Sequence, residues 1–175
     1  MAKRVHKRAD RFQPPHVGDI FSVCNCTCED FADYIKYWKH NGYWFFDSPE
    51  IIESIAKENS IQLEGTSLFY YEAYGMEFDG EVWRAFSPEP SFLTNVILPT
   101  KKNLEGFDVV NFTGRTAPEC VGLSCTNLAT ELGTNAHALF DSFDEAKTNV
   151  SNGAFNDSEP GPYRIFSVYS VDWAR

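Results

Sequence analysis

The stretch from Ser67 to Phe86, SLFYYEAYGMEF-DG-EVWRAF, restricts the fold more than any other part of the sequence. Residues 67–78 and 81–86 have strand composition, and Asp79-Gly80 between them suits a type I′ turn. Both central residues of that turn need positive φ, which glycine adopts without steric cost. This segment predicts an antiparallel hairpin in the middle of the chain. Residues 163–173 (YRIFSVYSVDW) are apolar on both faces, which predicts a strand covered on both sides and central in its sheet.

Weaker signals fill in the remainder. Residues 19–26, 43–46, 92–98, 107–112 and 138–140 are further strand candidates. Thr27 is placed to cap a helix with Glu29 and Asp30 in its first turn, carrying Phe31, Tyr34, Ile35 and Trp38 at helical spacing until Asn41-Gly42. Asp47-Ser48-Pro49-Glu50 opens another, with Ile51, Ile52, Ile55 and Ala56 on one face. Residues 124–132 read as a short helix opened by Ser124, and Ser142-x-x-Glu145 opens one running to about Val150. This order predicts an α+β domain, a mixed or mainly antiparallel sheet of about six to eight strands with three to four helices packed on it. Strict βα alternation is missing, and so are G-x-G-x-x-G and G-x-x-x-x-G-K-[ST], which argues against the usual dinucleotide and P-loop sites.

A chain of 175 residues, 43% hydrophobic and 23% charged, suits one globular domain, expected over residues 16–175. No apolar run reaches the ~18 residues of a membrane span, and no apolar run follows the basic N-terminus as in a secretory signal. With five cysteines, an odd number, the expectation is reduced thiols and a cytoplasmic location. Residues 1–15 read as a flexible basic arm closed by Pro14-Pro15. Residues 1–11 carry a balance of +4, which leaves −14 on the rest of a chain of net charge −10. Such an arm has the chemistry to touch nucleic acid or an anionic membrane, but the acidic body opposes phosphate at close range.

Cys24-Asn25-Cys26-Thr27-Cys28 is the densest thiol cluster. On an extended strand, alternate residues lie roughly 6.6 Å apart, too far for sulfurs that must sit ~2.3 Å from one zinc ion. Glu29 and Asp30 beside Cys28 oppose a thiolate. The cluster therefore reads as small buried side chains at a strand-to-helix junction, and neither metal nor cofactor is expected.

The segment 111–127 is the stronger place for chemistry, passing from an apolar strand through a loop with Gly114, Pro118 and Gly122 into a helix. Backbone N–H groups there suit an anion, with Arg115, Thr116, Ser124, Asn127 and, from a later strand, Arg164 as ligand-binding candidates. Cys125 as nucleophile, His137 as base and Glu119 as orienting acid would form a cysteine-dependent site. Each also has a structural role to fill: cap, core or surface pair.

Two classes of function follow. The first is a small acidic protein-interaction module (an inhibitor, immunity-type or anti-defence factor) with a basic protein as partner and a homodimer as one form. The second is a small-ligand binder or enzyme using residues 113–127.

Overall fold

The hairpin and the apolar strand at the C-terminal end meet in one antiparallel sheet. A computed structural model describes residues 2–3, 5–7, 14–23, 45–87, 96–112, 122–126, 128–158 and 160–173. In chain order its elements are β1 (Ala2–Lys3), β2 (His6–Lys7), β3 (Asp19–Ile20), α1 (Pro49–Glu58), β4 (Ser67–Phe78), β5 (Trp83–Ala85), β6 (Lys102–Asn111), α2 (Gly122–Cys125), α3 (Leu128–Glu131), α4 (Phe143–Ser151) and β7 (Tyr163–Val171). The sheet runs β1-β4-β7-β6, with β5 on β4, and β2 pairs β3 separately. Every described pairing is antiparallel. The α+β class stands, while the main sheet has five strands among the described residues rather than six to eight.

β7 is central, as its two apolar faces require, and residues 163–168 are buried. Val109 and Ile165 face each other across β6 and β7, with Phe155 against Tyr163 nearby. Phe143 of α4 stacks on Tyr74 with ring centroids 4.0 Å apart. Ser142 caps α4 by accepting a hydrogen bond from the Glu145 N–H at 3.2 Å, as the S-x-x-E pattern implies. The opposite face holds Phe69, Tyr71 and Phe166, covered by Phe21 and Phe45, with Phe45 5.2 Å from Tyr71 and 6.0 Å from Phe166. Buried Asp108 fixes the chain there by accepting from the backbone N–H of Val23 at 2.8 Å and of Val109 at 3.0 Å. At the far end of the sheet, α1 buries Ile52, Ile55 and Ala56 in a cluster with Leu68, Val171 and Trp173.

Several local expectations change. The hairpin loop has four residues, because Phe78 pairs Trp83. The Asp79 carboxylate accepts from the N–H groups of Glu81 and Val82, closing an Asx-type turn that the two-residue expectation did not include. β6 begins five residues earlier than its apolar part, at Lys102. It bulges at Glu105–Gly106, where Gly106 has φ +147 and a Cβ would stand 2.7 Å from the Phe140 carbonyl oxygen. Residues 124–132 form two short helices rather than one, 138–140 contribute a single bridge from Phe140 to Phe107, and 45–46 and 96–98 are not strand. Of 19–26, only Asp19–Ile20 is strand among the described residues. Residues 24–44, with the cysteine triplet and the helix expected after Thr27, lie outside the described residues, as do 88–95. Within the arm, Ala2–Lys3 pair with Leu68 and Ser67, and His6–Lys7 with Ile20 and Asp19.

Candidate functional site

Of the residues singled out from sequence, Ser124, Cys125, His137 and Arg164 are described; Arg115, Thr116, Glu119 and Asn127 lie outside the described residues. α2 ends at Cys125 and is a single four-residue turn, too short to sum backbone dipoles as a longer helix does. Ser124 is buried, and its hydroxyl lies 3.9 Å from the Cys125 sulfur. His137 belongs to a different cluster. Its ring stacks on Phe21 at 4.0 Å and 5°, and its Nε2 faces Glu105 Oε2 at 3.6 Å. Cys125 is not among its hydrogen-bond partners, so the described chain does not assemble the proposed thiol–imidazole pair. Among the described residues, no three His, Cys, Asp or Glu side chains group closely enough to hold a metal ion.

Arg164 is 1% exposed and engaged inside the fold rather than presented to a ligand. Its Nε and Nη2 donate to Glu77 Oε2 at 3.1 and 3.0 Å. Its guanidinium carbon lies 3.3 Å from the Phe86 ring centroid and 4.0 Å from that of Phe112. A planar, delocalised cation is the one charge suited to such a slot between rings.

The cluster that sequence reasoning did not find begins with Glu105. At the β6 bulge its carboxylate accepts from the Ser170 hydroxyl through Oε1 while Oε2 faces His137. Asn135 holds this arrangement: its amide donates to the Glu105 carbonyl at 2.8 Å, and its Oδ1 accepts from the backbone N–H of His137 and Leu139. The order hydroxyl–carboxylate–imidazole differs from a nucleophile relay, in which the imidazole touches the hydroxyl and the acid stands behind it. Here the hydroxyl points at the acid, so the cluster can orient and carry negative charge but lacks the contact for activating Ser170.

Ser170 also lines an open cleft of about 280 Å³ where β4 begins and β7 ends, together with Phe21, Ser67, Phe69, Asp172 and Trp173. Pockets for drug-sized molecules usually run from roughly 300 to 1,000 Å³, so this one lies at the small end of that range and has room for one long side chain. Three carboxylates attend it: Asp172 in the wall, Glu105 behind Ser170, and Glu53, which accepts from the Trp173 indole N–H at 3.0 Å. None of the described lining residues is basic. No sequence signal pointed here, because Phe21, Glu105, His137 and Ser170 come from four separate parts of the chain and each fits a neutral role in its own segment.

Comparison of the chain with protein-family models, with curated proteins and with solved structures finds no match.

Proposed function

We propose that the chain is a protein-interaction module for a basic protein partner, of the inhibitor or immunity type, acting in the cytoplasm. The observation that supports it is the excess of acid over base on the body, together with how the described cations and acids are placed. Arg164 is buried against Glu77, Arg84 meets Asp79 at 2.8 Å, and Lys102 meets Glu72 at 3.3 Å while lying 3.9 Å from the Tyr169 ring centroid. Lys147 lies 5.8 Å from the Trp83 ring centroid. Glu81, Glu131, Asp141, Asp144 and Asp157 are exposed. Lys57, Arg84 and Lys101 are exposed as well, but with −14 on residues 12–175 the acids outweigh them, and an acidic field raises the association rate with a basic surface and disfavours acidic ones.

The test is capture from the native host with tagged full-length chain at low and at moderate salt, followed by native mass spectrometry. The expected result is one basic protein in stoichiometric amount, released as ionic strength rises. Recovery of nothing above background across several growth conditions removes the proposal.

A further inference from the structure

We infer that the cleft formed by Phe21, Ser170, Asp172 and Trp173 is the docking pocket for a lysine or arginine side chain of the partner. This rests on the interaction-module reading and names the contact that reading lacks. Three independent properties select the occupant. The first is size: about 280 Å³ accommodates one long side chain and is small for a folded ligand. The second is charge: Asp172 stands in the wall, and Glu105 and Glu53 each hold a hydrogen bond from a wall residue, Ser170 and Trp173 respectively. The third is the wall itself, since Phe21 and Trp173 supply ring surface that attracts a cation and covers an aliphatic stem.

The walls are held in place before any partner arrives. Phe21 is stacked on His137 and set edge-on to Phe69 at 4.9 Å. The Trp173 indole is tied to Glu53 on α1, and the Ser170 hydroxyl to Glu105. Little side-chain freedom remains to be lost on binding, which favours affinity from a small contact. A neutral side chain would meet the same walls without the attraction, and an anionic one would also meet the repulsion of the carboxylates.

The experiment uses isotope-labelled full-length chain titrated with acetyl-Gly-Arg-Gly-amide, acetyl-Gly-Lys-Gly-amide and the neutral control acetyl-Gly-Gln-Gly-amide. The Trp173 indole N–H and the Ser170 and Asp172 amides are followed by NMR. Both basic probes should move these three signals while the glutamine probe leaves them in place. The exposed substitution Asp172→Asn should weaken the basic probes about threefold to fivefold, the size of one exposed charge contact. Still signals, equal movement with the glutamine probe, or unchanged affinity in Asp172→Asn overturns the inference. Host capture with wild type and with Asp172→Lys separates this from the parent reading. A partner held equally by both proteins sinks the cleft and keeps the module. Probe binding with no captured partner keeps the cleft as a cation site and sinks the module.

Discussion

Removing the carboxylate of Glu77 should be among the most damaging single changes available outside the apolar core. Arg164 is 1% exposed and cannot shed its charge, so its positive charge must be balanced inside the fold. At the 3.0 Å separation from Glu77, the gross attraction at an effective dielectric of about 20 is on the order of 5 kcal/mol. Glu77 is 24% exposed, so water already offsets part of that attraction, and the substituted amide oxygen of Glu77→Gln still accepts one hydrogen bond. The net cost expected is about 2–4 kcal/mol, below or within the range for breaking a buried pair. Arg164→Met removes the charge together with its contacts to Phe86 and Phe112, leaving a carboxylate that can hydrate at the surface. The double variant should therefore be less destabilised than the sum of the two singles, by roughly 1–3 kcal/mol. Urea unfolding of the four proteins, with free energies extrapolated linearly, measures this directly. If Glu77→Gln lies within about 0.5 kcal/mol of wild type, or if the two changes simply add, the buried guanidinium does not depend on Glu77 and the reasoning is wrong.

Other outcomes follow from the same geometry. Gly106→Ala combines a positive φ with a Cβ 2.8 Å from that of Leu139, and should cost roughly 2–4 kcal/mol in thermal or urea unfolding, with the Phe107–Phe140 bridge losing its amide protection. Asn135→Ala removes three hydrogen bonds that hold the 135–139 turn to β6 and should cost about 2 kcal/mol in the same assay. Asp79 has its carboxyl held below the ordinary range by the N–H groups of Val82 and Glu81, with Arg84 adding to them. Its contribution is therefore present above the unfolded-state value and lost as pH falls through the lowered folded value. In NMR, the 79–82 turn amides should change in that acidic window and stay flat in Asp79→Ala. Alkylation of Cys125 by iodoacetamide at neutral pH should keep its rate within about twofold in His137→Ala, since the imidazole faces Glu105 instead; a tenfold drop would restore a thiol–imidazole pair.

Local chemistry made much of the secondary structure legible. The Ser142 cap, the Pro49 helix start and the 67–78 strand each depend on a few adjacent residues, and each forms where those residues predict. The beginning of β6 was hidden because Lys102, Asn103, Glu105 and Gly106 are weak strand formers. They become strand by pairing with β7, a partner some 65 residues away in sequence. The hairpin turn departs from the two-residue form for a different reason: Asp79 uses its side chain, not only its backbone, and a carboxylate accepting two N–H groups stabilises a longer loop than Asp-Gly alone suggests. The candidate site was illegible in the same way as β6. Nothing near His137 in sequence announces Glu105, and nothing near Ser170 announces Phe21.

Arg164 shows what a charge in a sequence leaves unsaid, and it bears on function. Placed just after a Gly/Pro-rich loop, it resembles a surface cation free to meet an anion. The β4–β7 register instead sets Arg164 opposite Glu77, and the ends of β5 and β6 supply Phe86 and Phe112 on its two sides. Lys102 repeats the pattern in a more exposed place, with its ammonium 4.6 and 3.9 Å from the Tyr70 and Tyr169 ring centroids and Glu72 at 3.3 Å. The Tyr70 hydroxyl responds accordingly: burial and the Glu72 carboxylate raise its pKa, with Lys102 opposing them. In both places aromatic side chains and an acid together hold a cation belonging to the chain itself. The cleft at Phe21, Asp172 and Trp173 brings the same two ingredients together, and the described residues lining it bring no cation. A basic side chain from outside would complete there the arrangement that Arg164 and Lys102 already complete from within.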